Sequence, residues 1–74
     1  MVHLLDVKGL ACPLPVLRAK KAMRDVPPGE ILEVLATDPG AVKDFEAFCE
    51  TTKHTLLACS EDGGVYSFQI RKKS

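Results

Sequence analysis

The sequence predicts a two-layer α/β sandwich of element order βαβαββ, in which a mixed four-stranded sheet carries two helices on one face. Three features of the 74-residue chain indicate this fold. Two stretches have apolar residues at helical spacing, a short apolar run precedes each of them, and two further runs flank a glycine pair near the carboxyl end. Strands joined through helices are normally parallel, whereas a tight hairpin joins antiparallel strands. We therefore expect residues 1–74 to form a single domain.

The first half of the chain predicts a strand, a helix and a second strand. Residues 3–7 form a short apolar-rich run, and Lys8-Gly9 then predicts a turn. From Cys12 to Val26 the apolar residues follow i, i+4, i+7, i+11 and i+14, one stripe of a helix, which Pro27-Pro28-Gly29 ends. Residues 30–37 are rich in Ile, Leu and Val on both faces, which predicts a largely buried strand.

The second half predicts a helix and a β-hairpin. Asp38 is expected as the N-cap of the second helix, with Pro39 at its first position and its end near Thr52. Residues 55–61 and 65–71 predict two strands joined by Asp62-Gly63-Gly64. The core is expected to combine side chains of both helices and of the last strand: Val16, Met23, Val42, Phe45, Phe68 and Ile70.

Composition argues against three classes of protein: nucleic-acid binders, membrane proteins and secreted disulfide-linked proteins. Ten basic and ten acidic side chains cancel, which argues against a dedicated nucleic-acid binder with its strongly basic domain. Met1-Val2-His3 does not begin a signal peptide, and no apolar stretch is long enough to span a bilayer. Three cysteines, an odd number, do not make a disulfide framework. We therefore expect a cytoplasmic protein without membrane or direct nucleic-acid contact, whose cysteines are reduced.

Cys12 is the strongest candidate for a reactive residue. It stands where the first helix is predicted to begin, and the free N–H groups and dipole of a helix start favour negative charge. Pro13 disfavours helical backbone at Cys12, as an N-cap position requires. Its sulfur would then accept an amide hydrogen bond from Leu14 or Val16, which lowers the thiol pKa. The alternative is that Cys12 is one more buried cysteine, the usual fate of this residue type.

These residues, with others along the chain, resemble the TusA/SirA-like family of small sulfur-carrier proteins. A lone Cys-Pro-x-Pro motif would be a weak signal, but several segments in the family's order make it specific. The resemblance spans Leu4 to Lys73 and rests on Gly9-Leu10, Cys12-Pro13-Leu14-Pro15, Pro28-Gly29-Glu30, Asp38-Pro39, Phe48-Cys49 and His54. It implies that Cys12 bears the sulfur and that Gly9, Pro13, Leu14 and Pro15 support the motif.

The resemblance also implies a function. The family's cysteine accepts a sulfane sulfur as a persulfide from a cysteine desulfurase or a rhodanese-like donor, and relays it to a cysteine of an acceptor protein. The implied activity is a sulfurtransferase-type relay without a cofactor, rather than that of a free-standing enzyme. The sulfur enters 2-thiolation of tRNA, sulfur oxidation or molybdenum-cofactor supply. The tRNA-thiolation branch has Arg and Glu where this chain has Ala11 and Leu14, and Leu14 resembles members associated with sulfur oxidation.

The other cysteines and the histidines are interpreted as structural. Cys49 falls on the core stripe of the second helix and Cys59 in a strand, so we expect both to be packed. His54 is interpreted as a surface or helix-capping residue. The cysteines and histidines lack the close paired spacings of a zinc site, so no metal is expected.

Four basic residues crowd the first helix: Arg18, Lys20, Lys21 and Arg24. One interpretation is an ordinary solvated helix face. The other is a docking surface that steers acidic partners towards Cys12, since charge near a transfer site raises association rates.

Two classes of function remain at the level of sequence. The first is a sulfur carrier acting through a Cys12 persulfide. The second is a redox or regulatory binding module that uses Cys12 as a thiol switch. A carrier gains a sulfur atom from a donor, whereas a switch forms sulfenic acid or a mixed disulfide with peroxide.

Overall fold

The computed structural model describes residues 2–73 and has the predicted order of elements. The strands are β1 (Val2–Asp6), β2 (Ile31–Ala36), β3 (Thr55–Asp62) and β4 (Val65–Arg71), and the helices are α1 (Leu14–Met23) and α2 (Ala41–Thr52). The sheet has the strand order β1-β2-β4-β3. β1 pairs parallel with β2, whereas β4 pairs antiparallel with both β2 and β3. The predicted mixed four-stranded sheet with two helices is therefore confirmed.

Both helices contribute to one apolar core on a single face of the sheet. The ring centroids of Phe45 on α2 and Phe68 on β4 lie 4.6 Å apart, and Met23 of α1 belongs to the same cluster. Val16 and Val42 are only partly buried and pack against this cluster from its edge. The cluster consists of Val7, Ala19, Met23, Val26, Leu32, Val34, Ala36, Ala41, Phe45, Phe48, Cys49, Phe68 and Ile70.

The second face of the sheet stays open, so the expectation that β2 is buried on both faces is wrong. Leu32 and its same-face neighbours are buried, but Ile31, Glu33 and Leu35 are half-exposed. The reason is topological: two short helices on one face leave the other to solvent. Ser67 and Gln69 of β4 instead donate long hydrogen bonds to Glu33 across this face, each at 3.5 Å.

The helix boundaries also differ from the prediction. α1 begins at Leu14 rather than at Cys12, with Pro13 as its N-cap residue. α2 begins at Ala41 with Gly40 as its N-cap residue, so Asp38 and Pro39 lie in the preceding turn. The side chains expected to cap the two helices make other contacts instead. The Cys12 thiol donates to Asp44 in α2, and the Asp38 carboxylate accepts the N–H groups of Cys12 and Gly40.

The hairpin after α2 agrees with the prediction. Gly63 and Gly64 have φ angles of 59° and 86°, a left-handed backbone that glycine adopts without steric cost. The backbone of β4 therefore returns beside β3, and Phe68 and Ile70 reach the core. Among residues 2–73, no helix is long and apolar enough to cross a membrane.

A matched pair of substitutions tests which face of the sheet carries the core. Ile70 is fully buried and Ile31 is half-exposed on the opposite face. Ile70→Val should lower the free energy of unfolding by about 0.5–1.5 kcal/mol, the usual cost of removing one buried methylene. Ile31→Val should cost clearly less, because the lost group already contacts water. Urea unfolding monitored by circular dichroism measures both, and equal losses would contradict the single-core arrangement.

Candidate functional site

The site lies where the two parallel strands β1 and β2 end. The hydrogen bonding between the two strands continues one residue beyond β1, since the Val7 N–H donates to the Leu35 carbonyl at 2.8 Å. The next contact joins the loops, because the Gly9 N–H donates to Thr37 Oγ1 at 2.8 Å. Gly9 has a φ of 84°, in the left-handed region that favours glycine. The chain therefore enters the Cys-Pro-Leu-Pro segment already attached to the turn before α2.

Cys12 is held to that turn and to α2 at two points. Its N–H donates to Asp38 Oδ2 at 2.7 Å. Its thiol donates to the carboxylate of Asp44, in the first turn of α2. The side chain nevertheless remains exposed to solvent, so a reactant can reach the sulfur.

Cys12 does not cap α1, and the N-cap expectation is wrong. The Leu14 N–H, one of the expected donors, bonds to the Ala11 carbonyl at 2.9 Å. The first helical bond runs from the Leu17 N–H to the Pro13 carbonyl at 3.1 Å, one residue beyond Cys12. The Cys12–Pro13 peptide bond is cis. With Pro13 at the N-cap, the sulfur points to α2 rather than to the amides of its own helix.

The expectation of a lowered Cys12 pKa is wrong for a related reason. The hydrogen bond to Asp44, together with desolvation and the negative charges of Asp44 and Asp38, raises the pKa of Cys12 above its ordinary value. Nearby negative charge disfavours a second anion, so the proton stays on sulfur. The helix start nearest the sulfur is that of α2 and not that of α1. The side chain placed in its first turn is the Asp44 carboxylate.

A groove between α1 and α2 opens beside the cysteine. It has a volume of about 370 Å³. Pro13 and Asp44, the two residues joined to Cys12 by a peptide bond and a hydrogen bond, form one end of it. Its walls are mainly apolar, with Lys20 at the rim, and it is lined by Pro13, Val16, Leu17, Lys20, Asp44, Ala47, Phe48, Thr51 and Thr52.

The four basic residues of the first helix are all exposed. Lys20 and Lys21 lie in its last turn and Arg24 is its C-cap residue. Leu14 and Leu17, 42% and 53% exposed, lie on the same solvent-facing side by helical spacing. The outer surface of α1 is therefore both basic and apolar, and it adjoins the groove. Pro15, by contrast, is buried beneath the start of the helix.

The remaining cysteines differ from each other. Cys49 is buried as expected, and burial raises its pKa to about 11. Cys59 is exposed, so the expectation of a packed side chain is wrong for it. The reason is its position on β3, an edge strand whose residues from Leu57 onward are exposed.

His54 is tied to the chain terminus rather than to the end of α2. Its Nδ1 accepts the Lys73 N–H at 3.0 Å, and its ring packs against Phe48 with 5.8 Å between centroids. Burial and the charges of Lys72 and Lys73 lower the pKa of His54. Within residues 2–73, no three His, Cys, Asp or Glu side chains converge as metal ligands.

Sequence reasoning found Cys12 but missed both aspartates that hold it. The sequence pattern predicts Asp38 as a helix cap and indicates no role for Asp44. A signal was present: the segments that follow neighbouring parallel strands meet at one edge of a sheet. Acidic residues after the second strand are therefore candidates to contact a cysteine after the first.

Comparisons with known proteins agree with this architecture. Residues 3–72 match the family model described as sulfurtransferase TusA. A sulfur carrier protein TusA of Allochromatium vinosum is 52% identical over 68 residues, covering 92% of this chain and 90% of that protein. A protein of Neisseria meningitidis serogroup A is 56% identical over 69 residues, 93% of each chain. The crystal structure of a SirA-like protein from Desulfitobacterium hafniense superimposes with a TM-score of 0.84 at 26% identity, covering 100% of both chains.

Cysteine alkylation tests the electrostatics of the site. The thiolate is the reacting form, so the raised pKa of Cys12 should place its pH midpoint above that of the same residue in the urea-unfolded chain. Cys49 should react only after unfolding, because it is buried. Site-resolved mass spectrometry after iodoacetamide pulses from pH 6 to about 10 measures both. A Cys12 midpoint below its unfolded value would restore the thiolate expectation.

Proposed function

This chain belongs to the sulfurtransferase TusA family and is a sulfur carrier, and we propose that Cys12 carries the sulfur as a persulfide. The observation that supports this most directly is the placement of Cys12. It is exposed, it stands at the end of two parallel strands, and its backbone is anchored to Asp38 at 2.7 Å. An exposed sulfur on a fixed backbone suits exchange with a partner's cysteine, because access to the sulfur is one of the factors that set the rate.

The other two cysteines suit this role less well. Cys49 is buried, so a partner cannot reach its sulfur in the folded protein. Cys59 is exposed but lies on edge strand β3, outside the Cys-Pro-Leu-Pro segment, and it does not line the groove.

The partners follow from the chemistry of a carrier. Carriers of this family exchange sulfur with donor and acceptor proteins. For this chain we propose a cysteine desulfurase or a rhodanese-like protein as donor and a cysteine-bearing protein as acceptor. Each transfer exchanges one S–S bond for another, so neither an oxidant nor a cofactor is needed.

The exposed side of α1 is the proposed docking surface. It consists of Arg18, Lys20, Lys21 and Arg24 with the exposed Leu14 and Leu17 between them. Basic side chains attract an acidic partner surface from a distance, and exposed apolar side chains contribute affinity on contact. Lys20 and Lys21 also lie in the last turn of α1, where positive charge offsets the helix dipole. That role would stabilise the helix without involving partners.

The residues beside Cys12 bear on the pathway. Ala11 and Leu14 replace the charged residues of the tRNA-thiolation branch, and Leu14 is exposed next to the sulfur. We propose that this apolar character selects an acceptor in sulfur oxidation rather than in tRNA thiolation.

A thiol switch is less well supported than a carrier. Sensor cysteines are rich in thiolate, whereas the carboxylate of Asp44 raises the pKa of Cys12. Peroxide should therefore react slowly with this sulfur, and a protein donor brings its own reactive sulfur to the site.

The first test of the carrier function is sulfur loading of single cysteine variants. After reaction with a cysteine desulfurase and cysteine, the wild type should gain one reducible sulfur atom. Cys12→Ser should lose this gain and remain folded, because its side chain is exposed and the Asp38 bond uses the backbone. Intact-mass spectrometry with and without reductant measures the gain.

Cys59→Ser and Cys49→Ser serve as matched controls. The first should load normally, and the second should load while losing stability, because it buries a hydroxyl in the core. Loading that persists in Cys12→Ser would place the sulfur on another residue.

The second test concerns docking. Lys20→Glu combined with Lys21→Glu should slow transfer at low ionic strength and have less effect at high salt, because salt screens steering. The control pair Lys72→Glu and Lys73→Glu changes the same charge at the other end of β2, where the Lys72 N–H bonds the Glu30 carbonyl. Stopped-flow transfer rates compare them, and equal slowing by both pairs would reject α1 as the specific surface.

A further inference from the structure

The side-chain contact between Cys12 and Asp44 is not needed to hold the loop. The Cys12 N–H and the Gly40 N–H both donate to Asp38, at 2.7 and 3.3 Å. The Asp44 N–H bonds the Gly40 carbonyl at 3.3 Å as part of α2. The loop and the helix start are therefore fixed through the backbone and Asp38. The Asp44 carboxylate lies against an exposed sulfur, where a polar contact contributes little to stability.

The position of Asp44 instead matches the requirement for proton transfer. A general base must lie within hydrogen-bond reach of the proton that it removes, and the Cys12 thiol donates directly to Asp44. Asp44 stands in the first turn of α2, where free N–H groups and the helix dipole stabilise a carboxylate. It is half-buried, and it forms the end of the groove next to Pro13. A partner seated in this groove would cover the carboxylate together with the sulfur.

We propose that Asp44 is a catalytic residue of sulfur loading, which keeps the Cys12 proton in the free carrier and accepts it when a docked persulfide is attacked. This rests on the proposed function, in which Cys12 carries the sulfur. The proposal assigns two effects to one carboxylate. It protects the sulfur from small electrophiles in solution, and it assists the reaction with a protein donor.

The transfer step balances without any further reagent. The Cys12 proton passes to Asp44 as Sγ attacks the outer sulfur of the donor's persulfide. A new S–S bond forms between Cys12 and that sulfur, and the donor's own S–S bond breaks. The electron pair of the broken bond stays on the donor's cysteine sulfur, which then takes the proton from Asp44. Two thiol-type groups, Cys12–SH and donor–S–SH, become Cys12–S–SH and donor–SH, with Asp44 again a carboxylate.

The charged groups around the sulfur are consistent with both effects assigned to Asp44. Two acidic side chains face Cys12, Asp38 from the β2–α2 turn and Asp44 from α2, and Lys20 of α1 lies on the rim of the same groove. In the free protein the two carboxylates favour the thiol. After loading, the same carboxylates would disfavour an anionic outer sulfur and favour its protonated form, which is the form that an acceptor thiolate attacks.

The experiment compares two reactions of Asp44→Asn with those of the wild type. The first is alkylation of Cys12 by iodoacetamide at pH 7, and the second is single-turnover loading from a desulfurase persulfide. Removing the charge should make alkylation faster and shift its pH midpoint downward. Loading should become slower, by about a hundredfold if Asp44 contributes at the low end of the range for a positioned base. Glu46→Gln removes the same charge from an exposed position on α2 and should alter neither rate.

Other combinations of alkylation and loading rates contradict the proposal, and each identifies a different role for Asp44. If both reactions accelerate by the same factor, Asp44 only suppresses the thiolate. If neither rate changes, the contact has no chemical role, and if both fall, Asp44 positions the sulfur without acting as a base. A wild type that accepts no sulfur on Cys12 would overturn the carrier function as well. A wild type that loads normally while Asp44→Asn behaves identically would overturn only the assignment of Asp44.

Discussion

The parallel pairing of β1 with β2 is the constraint on which the site depends. Because both strands end at the same edge of the sheet, the segments that follow them lie side by side. Bonds from Val7, Gly9 and Cys12 to Leu35, Thr37 and Asp38 then join these segments at successive positions, at 2.8, 2.8 and 2.7 Å. The Cys-Pro-Leu-Pro segment thus has a fixed place opposite the start of α2.

That placement gives the sulfur an electrostatic environment unlike that of a helix-capping cysteine. A capping sulfur meets amide donors and loses its proton readily, whereas Cys12 meets the Asp44 carboxylate and retains its proton. This arrangement suits a carrier, because the exposed Cys12 thiol meets small electrophiles in solution while the protein moves between partners. In our proposal, the Cys12 sulfur is therefore weakly nucleophilic in the free carrier and becomes nucleophilic when a partner docks. In our proposal, the Asp44 carboxylate that protects the unloaded sulfur also disfavours a persulfide anion beside it, which keeps the outer sulfur open to an acceptor.

The small core shares Phe48 with the groove and shares helix α1 with the proposed docking surface. Phe48 packs edge to face on Phe45 at 6.3 Å between centroids, and it also lines the groove beside Cys12. Buried Pro15 and Ala19 hold the inner side of α1, while Leu14, Leu17 and the basic residues occupy its outer side. A chain of this size has little surplus stability. Placing the docking surface on the outside of a core helix requires no additional element.

The sequence by itself determined the elements, their order and the choice of Cys12 as the candidate sulfur-bearing residue. Helical and alternating apolar periods are local, as are the prolines and glycines that end each element, and the Cys12-Pro13-Leu14-Pro15 motif is contiguous. Only the tertiary structure decided what surrounds that sulfur. Asp38 and Asp44 lie 26 and 32 residues from Cys12 along the chain, and no local pattern reports such a contact. The pKa of Cys12 lies above its ordinary value because long-range packing, rather than its own helix, places the Asp44 carboxylate beside the sulfur.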